Sequence, residues 1–151
     1  MKQLRNFLKL SGSDRYLLAI TFILLGAIRL GLFFLAFRNL LKLLQKINKP
    51  NIRFPFEIQK SQISVGKIVW AVNVATRYMP GGAKCLARAL TTHFFMNRYH
   101  YSSELRIGVA KEQGGQLEAH AWIEYEGRVA IGNLPDLSRF IPLPSLEGVK
   151  L

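Results

Sequence analysis

The chain has 151 residues and a formal charge of +12, from 21 Lys and Arg against 9 Asp and Glu. That length suits one domain with its own core and is too short for two independent domains with linkers. A single cysteine, Cys85, excludes an internal disulfide, and no residue cluster has zinc-ligand spacing; a reducing, cytoplasmic setting with no metal or cofactor is expected.

The charge is uneven: through Arg53 there are ten basic residues and one acidic residue, Asp14. Such a field draws acidic peptides, nucleic acid or anionic lipid without choosing among them, and a solvated basic face has the same look. No arrangement of basic and aromatic residues matches a nucleic-acid-binding module, so no nucleic-acid partner is expected.

Residues 16–37 are apolar except for Thr21 and Arg29, long enough to cross a bilayer, and flanked by basic residues. Arg29 near the middle would cost about 2.5 to 3.5 kcal/mol to insert. The soluble alternative is a pair of helices separated near residues 11–14, bent about Gly26 and Gly31, packing on the catalytic body or on a partner. Residues 38–47 continue as an amphipathic helix, with Leu40, Leu41, Leu44 and Ile47 at helical spacing and basic residues between them.

Pro50 and Pro55 mark an extended linker. The expected organisation is a hydrophobic, basic helical arm over 1–48, a linker over 49–60 and a catalytic body over 61–151. Periodicity predicts a helix from Ser61 to Tyr78 with Ile63, Ile68, Val69, Val72 and Ala75 inward. Pro80-Gly81-Gly82 ends it, and Lys84 to Arg98 reads as a second helix. The pattern then alternates. Leu105, Ile107 and Val109 lie on one face of a strand, Glu112 to Gln116 form a turn, Leu117 to Tyr125 a second strand, and Glu126-Gly127 a two-residue hairpin into a third strand over Arg128 to Gly132. The stretch with Pro135, Pro142 and Pro144 is expected to be irregular and to wrap the sheet.

Cys85 falls where a Pro-Gly-Gly turn gives way to a helix. There, free backbone N–H groups and the helix dipole favour thiolate over thiol, and its own N–H can serve as an oxyanion donor. The competing reading is a small apolar residue buried in a helix. His120 stands on the second strand, sharing a face with Glu118, Trp122 and Glu124, opposite Leu117, Ala119, Ala121 and Ile123. It points toward whatever packs on the sheet's less apolar side. A helix-borne Cys followed by a strand-borne His is the order in which a thiol protease presents nucleophile and base. His93, about two turns after Cys85 on the same helix, and His100, in a turn, are weaker candidates.

A catalytic imidazole needs a third group to orient it. A two-residue hairpin loop pairs Tyr125 with Arg128 and Ile123 with Ala130, which puts His120 opposite Asn133. Asp136 is the rival, brought in by a bulge or by an early end to the strand. A strand-capping Asn in a Gly-Asn turn is the structural alternative for Asn133.

Pro80-Gly-Gly-Ala-Lys-Cys-Leu-Ala-Arg-Ala-Leu90, Leu105-Arg-Ile-Gly-Val-Ala110 and Leu117-Glu-Ala-His-Ala-Trp-Ile-Glu-Tyr-Glu-Gly-Arg-Val129 together resemble the lasso-peptide leader peptidases, the transglutaminase-like cysteine proteases of the microcin-processing family. The resemblance is strong over 61–144 and looser in the arm. It implies an α+β fold with a transglutaminase-like or papain-like cysteine protease core, a Cys-bearing helix packed on a small antiparallel sheet, preceded by a hydrophobic helical arm. It implies removal of the leader from a ribosomally made precursor peptide before a separate macrolactam cyclase closes the ring, with Cys85 as nucleophile and His120 as general base. The family's third residue, an Asp, would fall at Gly132 or Asn133, where this sequence has no carboxylate. A separate leader-recognition protein is implied as a partner, with the arm or the sheet edge as its docking surface, and the basic arm could instead hold the protease beside a membrane exporter. A non-catalytic transglutaminase-like peptide-binding or scaffold subunit is the alternative function, and membrane attachment through residues 16–37 the alternative to a purely cytoplasmic location.

Overall fold

Serines open two of the five helices in the computed structural model, which describes residues 2–49 and 63–144. Ser11 Oγ accepts the Asp14 N–H to start α2 (Gly12–Phe34), and Ser64 Oγ accepts the Lys67 N–H to start α4 (Val65–Tyr78). Each such cap satisfies an otherwise orphaned donor and is worth about 1 kcal/mol. The others are α1 (Lys2–Leu8), α3 (Phe37–Ile47) and α5 (Cys85–Arg98).

α2 is one helix, unbroken at Gly26 and Gly31. Gly31 serves a different end: a Cβ there would lie 2.7 Å from Leu40 Cδ1, so the missing side chain admits α3 at close range. The inner side of α2, Leu17, Leu18, Thr21, Leu25 and Ile28, is buried, and the helix packs on α4 and α5. α4 begins later than the predicted Ser61, which lies outside the described residues together with the proposed linker from Pro50. Ile63, Ile68, Val72 and Ala75 are buried as predicted, and Val69 is half-buried.

The sheet is antiparallel, in the order β3-β2-β1-β4: β1 (Ser103–Lys111), β2 (Leu117–Tyr125), β3 (Arg128–Ile131) and β4 (Ile141–Pro142). Glu126 and Gly127 both have positive φ, 49° and 74°, which gives the two-residue hairpin loop its tight reversal. Two expectations need correction. The C-terminal stretch is not wholly irregular: after a 3₁₀ turn at Leu137–Arg139, Ile141 pairs with Val109 and Pro142 with Gly108. Proline is tolerated there because β4 is an edge strand. And the β2–β3 register slips by one: Tyr125 faces Arg128, but Ile123 faces Ile131 rather than Ala130, through a bulge. The extra residue removes Asn133 from its expected place opposite His120.

Alternation divides the sheet between two cores. Leu105, Ala121, Ile123 and Ile131 join the large cluster built by α2, α4 and α5. Trp122 and Ala110 turn the other way and pack with Phe140, which arrives from the C-terminal segment. One large buried cluster thus runs from Leu17 through to Ile131, taking in the arm helices and the sheet.

Candidate active site

Between α4 and α5 the chain reverses through Pro80-Gly81-Gly82. Gly81 and Gly82 have φ of 74° and 70°, a left-handed pair that side chains disfavour, and the Gly82 N–H closes the turn on the Met79 carbonyl at 2.8 Å. α5 then starts with Cys85 itself. Unlike α2 and α4, it has no side-chain cap, because Lys84 stands at the capping position and carries no acceptor. The first-turn N–H groups of Cys85, Leu86 and Ala87 meet no acceptor among the described residues. A half-buried thiol therefore sits on an open, electropositive helix end, which is the setting a thiolate or an oxyanion needs.

A residue whose role the sequence reading missed supports this turn. The Arg29 guanidinium on α2 donates through Nη1 to the Pro80 carbonyl. It also packs so close to Gly81 that a Cβ there would lie 2.9 Å from Arg29 Nη2. The one cation inside an otherwise apolar run was the available signal. It read as an insertion penalty, whereas it fastens the arm to the loop that delivers Cys85.

His120 is held on three sides. Its Nε2–H donates to the Gly132 carbonyl at 2.6 Å, so that in the neutral ring Nδ1 is the lone-pair nitrogen; Nδ1 makes no hydrogen bond among the described residues. The ring stacks on Trp122 at 6.1 Å and 17°, and Phe140 lies 5.5 Å away at a tilt. Across the ladder, His120 faces Gly108, and a Cβ there would come within 2.9 Å of the Trp122 ring. Gly132 is constrained as well: φ is 89°, and a Cβ would lie 2.8 Å from the Ala121 carbonyl. A backbone carbonyl thus accepts the imidazole N–H where the resemblance implies a carboxylate.

Neither proposed third residue accepts a hydrogen bond from His120. Asn133 is exposed, and its side chain makes no hydrogen bond among the described residues. Asp136 is close enough for the imidazole to favour its charged form, but its carboxylate is taken by Arg139, Nε to Oδ2 at 2.6 Å. That bond is the main reason the Asp136 carboxyl is held below the usual carboxylate range. Arg139 Nη2 also binds Glu118 Oε2 at 2.5 Å, and its guanidinium lies 4.5 Å over the Phe140 ring. On the same face, Trp122 Nε1 donates to Glu124 at 3.0 Å, and Arg106 bridges Glu124 and Glu104.

As predicted, His120 faces away from the most apolar side of the sheet. α5 packs on the face of Ala121 and Ile123, and Cys85 packs against that core, whereas His120 belongs to the Trp122–Phe140 face. No hydrogen bond joins the thiol to the imidazole among the described residues. The other histidines serve structure. His93 Nδ1 pairs with Ser103 Oγ at 2.8 Å, and burial pushes its pKa down to about 4. His100, with φ of 63°, turns the chain out of α5. No group of His, Cys, Asp or Glu among the described residues is arranged to hold a metal.

Among curated proteins and solved structures, no match to the chain was found. The sequence profile of the transglutaminase-like superfamily matches residues 31–145, a span that opens in the last turn of α2 and takes in α3, α4, the Cys85 helix and all four strands. With a helix-borne Cys ahead of a strand-borne His on a small antiparallel sheet, and with that profile covering most of its length, the chain belongs to the transglutaminase-like superfamily.

Proposed function

We propose that the protein is a cysteine peptidase that removes the leader from a ribosomally synthesised lasso precursor peptide, ahead of ring closure by a separate macrolactam cyclase. The observation that carries the reading is the anchoring of His120 Nε2–H on the Gly132 carbonyl, which reserves Nδ1 as a proton acceptor. In the reaction, Nδ1 of His120 takes the Cys85 proton, and the thiolate attacks the carbonyl of the leader's last residue. The first-turn N–H groups of α5 receive the oxyanion. The imidazolium returns its proton to the departing amine of the core peptide, leaving a leader thioester on Cys85, and water, deprotonated by His120, hydrolyses it. No hydrogen bond joins thiol and imidazole among the described residues; it is expected to form in the complex with precursor and recognition protein, as catalytic hydrogen bonds commonly tighten only when substrate is bound.

Incubating the chain with precursor and recognition protein tests the reading. Cleavage is expected from the native chain and not from Cys85→Ala or His120→Ala. Undiminished cleavage by either variant overturns it.

A second reading, a non-catalytic peptide-binding or scaffold subunit of the maturation complex, is favoured by one observation: no hydrogen bond joins Cys85, packed against the α5 core, to His120, whose ring packs with Trp122 and Phe140. On that reading the native chain assembles with the precursor and leaves it uncut.

A further inference from the structure

The outer side of α2 is left uncovered. Tyr16, Ala19, Ile23, Ala27, Leu30 and Phe34 follow one another at helical spacing, all exposed, over about 27 Å of helix. Phe33 beside them is 83% exposed and Phe34 75%, which is unusual for phenylalanine in a folded chain. The strip holds no charge: the one cation of α2 beyond its first turn, Arg29, is turned aside to Pro80. At its N-terminal end α1 adds exposed Leu4 and Phe7, which line an apolar groove of about 620 Å³ against Phe22 and Ile23.

Cations frame the strip. Lys2, Arg5 and Lys9 stand at the α1 end and Arg38, Lys42 and Lys46 on α3 at the other, all exposed, and none forms an ion pair with a described residue. The arm's one acid, Asp14, is already paired with Lys67 at 2.5 Å.

We infer that α2 lies in the plane of an anionic lipid leaflet, its outer strip immersed at the headgroup boundary and the basic residues of α1 and α3 on the phosphates. An uncharged apolar strip framed by cations is complementary to that surface. A second copy of the chain is a poorer occupant, because a two-fold contact along the strip brings basic ends together whichever way the helices run. Although α2 is long and apolar enough to cross a membrane, spanning is also disfavoured. Its inner side is already packed on α4 and α5, and Arg29 is bonded into the catalytic body. The inference does not depend on the proposed peptidase activity.

The test is co-sedimentation of the full chain with vesicles of phosphatidylcholine alone and of phosphatidylcholine mixed with about one-third phosphatidylglycerol. Binding is expected to the anionic vesicles, to weaken as salt is raised, and to be released by alkaline carbonate. Phe33→Glu/Phe34→Glu and, separately, Lys42→Glu/Lys46→Glu are each expected to lower the partition coefficient about tenfold or more. All four positions are exposed, so unchanged circular dichroism and melting temperature are expected of both variants. Three results overturn the inference: equal or no binding to the two vesicle types, native-like binding by the phenylalanine variant, or carbonate-resistant insertion. A concentration-dependent dimer that the phenylalanine variant abolishes, with no vesicle binding, assigns the strip to a second copy instead.

Discussion

Arg29, in the middle of the most apolar helix, and Pro80, at the head of the turn before Cys85, are joined by a side-chain to backbone hydrogen bond across 51 residues of sequence. The bond ties α2 to the turn that sets the position of Cys85. Arg29→Ala is expected to lower leader cleavage about tenfold through misplacement of the turn, with a stability loss of no more than about 1.5 kcal/mol from the exposed hydrogen bond. Gly81→Ala should act in the same direction, since its positive φ adds about 1 to 2 kcal/mol of strain and its Cβ displaces the guanidinium. Steady-state cleavage set beside urea melts separates the two effects. Wild-type kcat/KM in Arg29→Ala would show that the turn stands without the arm.

Gly132 and Asn133 give opposite expectations. Gly132→Ala places a Cβ 2.8 Å from the Ala121 carbonyl at a φ of 89°, so a loss of at least about 2 kcal/mol is expected, together with loss of the His120 anchor. Nitrogen NMR of the imidazole reads that loss as a mixture of tautomers replacing the single Nε2–H form. Asn133→Ala, at an exposed site without side-chain hydrogen bonds, should stay within about 0.5 kcal/mol of the native chain and keep the tautomer. A tautomer change in Asn133→Ala would restore Asn133 as the orienting residue.

The contrast between those neighbours shows where sequence reading stopped. The break near residues 11–14 and the Pro80-Gly81-Gly82 turn were legible because their local chemistry announces a boundary, and β2 because its sequence alternates, whereas the start of α4 was placed at Ser61 although Ser64 caps it. The bulge at Ala130 has no such signature: an alanine fits a regular strand equally well, and one inserted residue moves every later partner. β4 was hidden for the opposite reason, since Pro142 argues against a strand until the segment is known to lie at an edge. The site divides in the same way. Cys85 at a helix start and the face of His120 follow from period and turn chemistry, whereas the Gly132 acceptor and the Arg29 tether are backbone carbonyl contacts, which no side-chain motif encodes.

His93 makes the fold sensitive to acid. Burial favours its neutral form and lowers its pKa from 6.5 to about 4, so the unfolded chain binds this proton more readily than the folded one. The contribution is complete above pH 6.5 and is lost as pH falls from there through about 4, with a ceiling of about 3 kcal/mol. Urea midpoints measured from pH 7.5 to 4 are expected to fall along that window. In His93→Gln the decline should be shallower, and an equally steep decline would assign the acid sensitivity to other groups.

Cys85 and His120 share no hydrogen bond among the described residues, so the imidazole is not expected to change how the thiol reacts in the free chain. Alkylation of Cys85 by iodoacetamide at neutral pH is therefore expected to proceed at the same rate in the native chain and in His120→Ala, within about twofold. Cleavage of the precursor should nevertheless fall by about a hundredfold or more in His120→Ala, because general-base assistance is needed once substrate has brought the two groups together. Alkylation slowed tenfold by His120→Ala would mean that thiol and imidazole already pair at rest. Equal alkylation in both chains, combined with no cleavage by either in the presence of precursor and recognition protein, is the pattern the scaffold reading requires.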